Sequence, residues 1–128
     1  MTTDERIKNA ATSVCKAIFP NTTNHYDTLF GGQALGWMDE VAFIVATRFC
    51  RKDVVTVSMD RTDFKKPIPA GTIVQMVGSI VKVGRTSMQV QVEMFVEEMF
   101  SDHRESAILG TFTLVAIDEK RRPIPVRD

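Results

Sequence analysis

An aspartate lies in the middle of an otherwise apolar segment. Between Gly32 and Thr47 the only ionisable residues are Asp39 and Glu40. A carboxylate is costly to bury unless hydrogen-bond donors meet it, and burial raises the pKa of a carboxyl group. A carboxylate in such surroundings is suited to act as a general base or a nucleophile. The alternative is that Asp39 lies at a helix margin and faces solvent beside Glu40.

Two adjacent glycines, Gly31 and Gly32, precede the same apolar segment. Glycines at a helix start leave the backbone N–H groups unhindered, and the helix N-terminus carries partial positive charge. Such N–H groups can hold the oxygen of a polarised carbonyl, as in an oxyanion hole. The alternative is a tight turn that requires glycine, and the two residues alone favour this alternative.

Polar side chains in the loop before the glycines are weaker candidates. Asn24 and His25 can orient a water molecule or a substrate oxygen. An asparagine in a loop more often bonds nearby backbone, and a lone histidine more often binds nothing.

Scattered basic residues are a further candidate group because they can meet phosphates. Solvated surface charge is the more frequent role of such residues. Hydroxyl groups follow Arg85, but no Ser-His-Asp set can be assigned, and no glycine-rich phosphate loop or zinc-ligand spacing is present. The basic residues are Lys65, Lys66, Arg85, Arg121 and Arg122.

One long helix must position the glycines and the aspartate. Apolar residues recur at spacings of three and four from Gly32 to about Cys50, which predicts a helical face. Few charges lie on the other faces, so we expect a buried helix, about 27 Å long. The repeating apolar residues are Leu35, Met38, Ala42, Val45 and Phe49.

Five strands are predicted around this helix, at residues 13–19, 54–64, 72–83, 88–96 and 107–117. Met88 to Val96 alternates apolar and polar residues, whereas 107–117 is apolar on both faces and is expected inside the sheet. The order is strand, helix and four antiparallel strands, which predicts an α+β fold. A sheet this short cannot cover the helix completely. We therefore expect dimerisation at a sheet edge or a helix face.

Length and charge narrow the class of protein. The 128 residues suit a single domain, residues 1–128. Equal numbers of acidic and basic residues, 16 of each, weigh against a nucleic-acid-binding protein. No signal peptide or membrane span is recognised, so the predicted location is the cytoplasm. Two buried free thiols are expected for Cys15 and Cys50, although a disulfide between them stays open.

Four segments, in order, resemble hotdog-fold acyl-CoA thioesterases, specifically the bacterial short- and medium-chain enzymes and the related brain-type acyl-CoA hydrolases. The longest is FPNTTNHYDTLFGGQALGWMDE at residues 19–40. The others are VVTV at 54–57, FKKPI at 64–68 and VGRTSM at 83–88. Together they span residues 19–88, and the resemblance extends to the proline-containing tail. The resemblance implies the hotdog fold, in which an antiparallel sheet wraps round one long central helix.

The resemblance also implies roles for individual residues. Asp39 would be the catalytic base or nucleophile, Asn24 of the opposing protomer would hold substrate or water, and Gly32 would help to polarise the thioester carbonyl. The substrate would be an acyl-CoA, with no metal and no cofactor beyond the coenzyme A of the substrate. The implied assembly is a homodimer with two composite sites, assembled into tetramers or hexamers. The implied substrate- and coenzyme A-binding residues are Gly31, Thr56, Lys66, Arg85, Thr86 and Ser87.

One position departs from the family pattern, and two other functions stay open. Relatives usually carry glycine at the position of Asp27, in a loop that is expected to need positive φ, which aspartate tolerates better than most residues. A hotdog hydratase or dehydratase would pair His25 with Asp39. A non-catalytic acyl-CoA sensor would bind the same ligand without turnover.

Overall fold

A long helix lies against an antiparallel sheet in the computed structural model, which describes residues 1–127. The strands are ordered β1-β3-β4-β5-β2 and every neighbouring pair is antiparallel. This is the predicted α+β hotdog arrangement, and the fold prediction is confirmed. The elements are α1 (Thr3–Ala10), β1 (Thr12–Ala17), a 3-10 turn (Pro20–Thr22), α2 (Gly31–Cys50), β2 (Asp53–Phe64), β3 (Thr72–Val83), β4 (Ser87–Glu98) and β5 (Arg104–Ile117).

The helix α2 has the bounds that its apolar periodicity predicts. Arg51 ends it in the left-handed conformation, with φ 54° and ψ 38°, and donates its backbone N–H to the carbonyl of Thr47. One face of α2 is buried and the opposite face is not. The expectation that the helix is buried on all sides is therefore wrong for a single chain. The buried residues include Met38, Ala42, Val45 and Phe49 of the predicted face, whereas Leu35 is half-buried.

The core lies between α2 and one face of the sheet. On β4, Met88, Val90, Val92 and Met94 are all 0% exposed, which confirms the predicted alternation. Strand β5 pairs with both β4 and β2, so it lies inside the sheet as predicted, although β4 is the central strand. The alternate side chains of β5 are only half-buried because they face away from the helix.

The edge strand β2 is the most exposed part of the sheet. Val57, Met59 and Phe64 are 56%, 51% and 55% exposed. Two register shifts interrupt its pairing with β5, between Thr56 and Ser58 and again after Met59. Exposed apolar side chains beside an unpaired strand edge are typical of an interaction surface. This observation agrees with the expected dimerisation.

An N-terminal helix, α1, was not predicted. Thr2 caps it by accepting a hydrogen bond from the backbone N–H of Glu5 at 3.1 Å, and its hydroxyl donates to the Glu5 carboxylate. A threonine followed three residues later by glutamate is a capping box, so the sequence carried a signal for this helix. Arg6 joins α1 to the end of α2 through the carbonyl of Phe49 at 3.3 Å.

The cysteine prediction is half wrong. Both thiols are free, but Cys15 is exposed and only Cys50 is buried. Cys15 lies on the edge strand β1, whose side chains alternate between exposed and half-buried. Burial raises the pKa of the Cys50 thiol, although a hydrogen bond with the backbone of Lys52 acts in the opposite direction.

The described chain contains no helix that is both long and apolar enough to cross a membrane. The tail folds back on the sheet, and Val126 is 2% exposed. Its backbone N–H donates to the carbonyl of Arg85 at 2.9 Å, and Ile124 donates to Ala116. The last predicted tail residue, Asp128, lies outside the described residues.

Candidate active site

Asp39 lies half-buried on α2, with Thr56 of β2 beside it. The Thr56 hydroxyl donates a hydrogen bond of 2.7 Å to Oδ1 of Asp39. Oδ2 has no hydrogen-bond partner among residues 1–127. The neighbouring Glu40 is exposed. Asp39 is therefore neither fully buried nor fully exposed to solvent. One of its carboxylate oxygens is held by Thr56, and the other is open to another molecule.

The glycine pair forms the first turn of α2. No side chain caps this end of the helix, and within residues 1–127 the N–H groups of Gly31 and Gly32 have no acceptor. Neither glycine has positive φ. A Cβ at Gly31 would lie 3.9 Å from Phe64, and one at Gly32 would lie 3.5 Å from Phe30, which are ordinary contacts. A turn that requires glycine is therefore not the reason for the pair.

Gly32 and Asp39 lie on the same face of α2 but not at the same height. Seven residues separate them, which is close to two helical turns and about 10.5 Å along the axis. A reacting carbonyl would need both the carboxylate and the N–H groups within about 3 Å. The two groups of one chain are too far apart to act on the same carbonyl.

Asn24 organises the loop that leads to α2. Its Oδ1 accepts hydrogen bonds from the backbone N–H of Tyr26 at 2.9 Å and of Thr28 at 3.2 Å. Its Nδ2 donates to no atom of the described chain, so the amide N–H groups are open to a ligand. Asp27, at the tip of this loop, has φ 60°, which confirms the expected left-handed position.

His25 does not pair with Asp39 in this chain. It is exposed, and its ring lies 3.9 Å from that of Tyr26, measured between centroids. No hydrogen bond joins it to a carboxylate within residues 1–127. The His–carboxylate pair of the hydratase alternative is not formed in the single chain.

Lys66 follows β2 at the same end of the molecule as the first turn of α2. Its Nζ lies 3.1 Å from Oε2 of Glu105, and His103 lies 3.3 Å from the other oxygen of that carboxylate. The hydrogen bond from Lys66 is the main cause that holds the pKa of Glu105 below its usual range. Glu105 could not be identified from the sequence because it lies on β5, which only the pairing of β5 with β2 brings close to Lys66.

Arg85 and Thr86 lie in the turn between β3 and β4, and Ser87 is the first residue of β4. The structure does not bring these residues to the Asp39 carboxylate in one chain. Ser87 of β4 pairs with Val115 of β5, which pairs in turn with Val55 of β2. Thr56 is the next residue along β2 after Val55. Because side chains alternate along strands, Ser87 and Thr56 point to opposite faces of the sheet. Their assignment to coenzyme A binding stays a prediction.

A metal centre has no support in the described chain. No group of three or more histidine, cysteine, aspartate or glutamate side chains within residues 1–127 is arranged to hold a metal ion. The polar groups that the structure offers to a ligand are a carboxylate, an amide and backbone N–H groups. Such groups serve proton transfer and carbonyl polarisation.

Comparisons with known proteins agree on one family. Residues 26–99 match the family model described as Thioesterase superfamily. An uncharacterized acyl-CoA thioester hydrolase of Bacillus subtilis, YkhA, is 40% identical over 109 residues, which are 85% of this chain and 63% of that protein. The chain therefore spans less than two thirds of that relative's length.

Solved structures show the same fold. An acyl-CoA hydrolase from Staphylococcus aureus, in complex with butyryl coenzyme A and coenzyme A, matches with a TM-score of 0.89 and 34% identity, over 93% of this chain and 73% of that one. An apo-hexameric acyl-CoA thioesterase matches with a TM-score of 0.90 and 33% identity, over 93% of this chain and 76% of that one.

Alanine variants of the Staphylococcus aureus hydrolase have been solved for one asparagine, one aspartate and one threonine. The aspartate lies 15 positions after the asparagine, and the threonine lies 17 positions after the aspartate. Asn24, Asp39 and Thr56 have the same two spacings in this chain. The correspondence covers three residues, two of which, Asp39 and Thr56, are in contact here.

Proposed function

The chain belongs to the thioesterase superfamily, and on that basis we propose that it is an acyl-CoA thioesterase, an enzyme that hydrolyses acyl-CoA to a free carboxylic acid and coenzyme A. One observation carries the proposal: a half-buried carboxylate, Asp39, has one oxygen fixed by Thr56 at 2.7 Å and the other open. The family match and the acyl-CoA hydrolase relatives support the substrate class.

Asp39 activates the attacking oxygen in this proposal. As a base, it takes a proton from water, whose oxygen then attacks the thioester carbonyl carbon. The C–S bond breaks, and the thiolate of coenzyme A receives the proton. As a nucleophile, Asp39 would attack the carbon itself, break the C–S bond and form a mixed anhydride as the coenzyme A thiolate leaves. Water would then hydrolyse the anhydride, which regenerates the carboxylate, releases the carboxylic acid and supplies the proton for the thiolate. The hydrogen bond from Thr56 orients the carboxylate equally well for both routes.

The first turn of α2 stabilises the charge that grows on the carbonyl oxygen. The free N–H groups of Gly31 and Gly32 are the donors, and the positive end of the helix adds to their effect. The amide of Asn24 is available to hold the substrate or the water. Lys66, Arg85, Thr86 and Ser87 are kept as candidates for the coenzyme A moiety, whose phosphates need basic partners.

The site is composite, with groups from two chains. The separation of about 10.5 Å between Gly32 and Asp39 along one helix supports a dimer in which the N–H groups of one protomer face the carboxylate of its partner. The unpaired edge of β2 and the exposed face of α2 provide a surface for that dimer. The hexameric neighbour supports further assembly of dimers, here as a hexamer rather than a tetramer.

The proposal also includes the cellular location and the metabolic role of the protein. We propose that the protein acts in the cytoplasm and in fatty acid metabolism, and that it needs no metal and no bound cofactor. Residues 1–128 would act as a single thioesterase domain.

Release of free coenzyme A from a panel of acyl-CoAs tests the proposal. The expected result is turnover by the wild-type protein and near-complete loss in Asp39→Asn. Binding of acyl-CoA without turnover would instead favour the sensor, and addition of water to an enoyl-CoA would favour the hydratase.

A further inference from the structure

The exposed face of α2 contains both halves of the proposed site, with another glycine between them. Gly32 and Gly36 are exposed, Asp39 is half-buried, and Phe43 is 47% exposed. At 3.6 residues per turn, these four positions lie within about 60° of one another around the helix axis. A Cβ at Gly36 would meet nothing within 4 Å in this chain, and glycine inside a helix costs about 1 kcal/mol relative to alanine. The packing of a single chain therefore does not account for Gly36.

The composite site determines how two such helices face each other. This geometry rests on the proposed function, in which the N–H groups at Gly32 of one protomer face the partner's Asp39. In a homodimer with two-fold symmetry the same surface serves both chains, so Asp39 also faces the partner's Gly32. Parallel helices would instead place each residue level with its own copy. The two α2 helices must therefore run antiparallel, with the symmetry axis midway between residues 32 and 39.

We infer that Gly36 lies at the two-fold axis of the dimer, where the two α2 helices meet. The midpoint between Gly32 and Asp39 falls between Leu35 and Gly36, and of these two Gly36 is exposed. The two copies of residue 36 then differ in height by about 1.5 Å along the helices. Packed helices have about 8–10 Å between their axes, and each Cα lies about 2.3 Å from its axis. Facing Cα atoms at the symmetry axis are therefore within about 5 Å of each other.

The edge strand β2 supports the same position of the axis. Strand and helix run antiparallel, since the Cβ position of Gly31 lies 3.9 Å from the ring of Phe64 and Asp39 is bonded to Thr56. Halfway between these two contacts the strand has reached Met59, which is 51% exposed on an edge that has no partner strand within residues 1–127. An axis through the middle of this helix segment therefore also passes an exposed apolar part of the strand edge.

Disulfide formation at position 36 tests the inference. A disulfide needs Cα atoms about 4.4–6.8 Å apart, which is the spacing expected for residue 36 and its own copy at the axis. Gly36→Cys is made in a Cys15→Ser background, in which the remaining native cysteine, Cys50, is 5% exposed. The thiols are oxidised with diamide, and non-reducing electrophoresis measures the covalent dimer. The expected result is conversion of most of the protein to a covalent dimer, which a reducing agent reverses.

Glu40→Cys in the same background is the matched control. Glu40 is exposed on the same helix, but its two copies would differ in height by about 13.5 Å and should form no disulfide. Met59→Cys repeats the test from the strand and should also cross-link, which keeps the inference testable if Gly36→Cys does not fold. Absence of a covalent dimer in both folded variants, or an equally abundant one in Glu40→Cys, would overturn the inference.

The cross-linking needs no substrate, so its outcome is separate from that of the proposed function. Covalent dimers of Gly36→Cys beside a wild-type protein that releases no coenzyme A would contradict the thioesterase and support the position of the axis. Release of coenzyme A by the wild type, together with covalent dimers of Glu40→Cys but not of Gly36→Cys, would support the thioesterase and overturn the position of the axis.

Discussion

The Thr56 hydroxyl and the Asp39 carboxylate join the edge strand to the central helix through a hydrogen bond of 2.7 Å. The contact fixes one oxygen of the Asp39 carboxylate. It also connects two residues whose spacing is shared with altered positions in the Staphylococcus aureus hydrolase.

Thr56→Val should reduce kcat/KM about 10- to 100-fold because the Asp39 carboxylate loses the donor that positions it, and proton transfer by a positioned side chain contributes about 10²- to 10⁴-fold. Thr56→Ser keeps the donor and should stay near the wild-type value. Because Thr56 is exposed, the free energy of unfolding should change by about 0.5 kcal/mol or less in both. Steady-state kinetics and thermal unfolding provide the measurements. Equal activity in the valine and serine variants would remove Thr56 from the site.

Asp27 is predicted to carry backbone strain that glycine would relieve. Its φ of 60° lies in the left-handed region, which costs ordinary residues about 1–2 kcal/mol. Asp27→Gly should therefore have a free energy of unfolding at least about 1 kcal/mol higher than Asp27→Val. Chemical denaturation of the two variants measures the difference. If the valine variant were as stable as the glycine variant, the loop would not require this conformation.

Gly78 is predicted to be required where β3 meets α2. A Cβ there would lie 2.8 Å from Val41 and 3.0 Å from Val45. Gly78→Ala should lower the free energy of unfolding by about 1–3 kcal/mol through overpacking. The control is Gly36→Ala, since a Cβ at Gly36 meets nothing within 4 Å and alanine favours helix by about 1 kcal/mol. Stability that fell equally in both variants would contradict the packing argument.

Periodic segments were predictable from the sequence, whereas contacts across strands were not. The bounds of α2 and β3 follow from apolar periodicity because each buries one continuous face. The helix α1 has a capping box at Thr2 and Glu5, but its few apolar residues hid it. The exposure of Cys15 depends on which face of an edge strand it occupies, and that requires the sheet register.

The candidate site was predictable in its residue types but not in its geometry. Asp39 and the glycine pair stand out because charge and glycine are unusual inside an apolar helix. Their separation of about 10.5 Å follows from the spacing on the predicted helix, whereas the hydrogen bond between Thr56 and Asp39 depends on how β2 lies against α2. The opposite orientation of Ser87 follows from strand pairing, which no local pattern reveals.

The turn from Asp118 to Arg122, at the start of the tail, is predicted to weaken at acid pH. The backbone N–H of Arg122, followed by that of Lys120 and by the Arg122 guanidinium, holds the pKa of Asp118 below its usual range. A lowered folded-state pKa stabilises the fold above the unfolded value of about 3.9, and this contribution is lost as pH falls through the folded value. The protection factor of the Val126 amide, which compares its exchange rate with that of the unstructured chain at the same pH, should therefore fall below about pH 3.9.

The matched variants for the tail are Asp118→Asn and Glu119→Gln. Asp118→Asn should weaken the protection of Val126 already at neutral pH, because the charged acceptor is gone. Glu119 is exposed, and its substitution should leave the exchange profile unchanged. Protection of Val126 that is the same at pH 3 and pH 7 would show that Asp118 does not hold the tail.

Release of coenzyme A by wild-type protein, Asp39→Asn and Glu40→Gln tests the central claim most directly. A thiol reagent follows the reaction, with an enzyme-only blank because Cys15 is exposed. We predict turnover by the wild type and by Glu40→Gln, and a loss of at least about a hundredfold in a folded Asp39→Asn. Turnover that persists in Asp39→Asn would contradict the role of this carboxylate, and absence of turnover in the wild type would contradict the thioesterase itself.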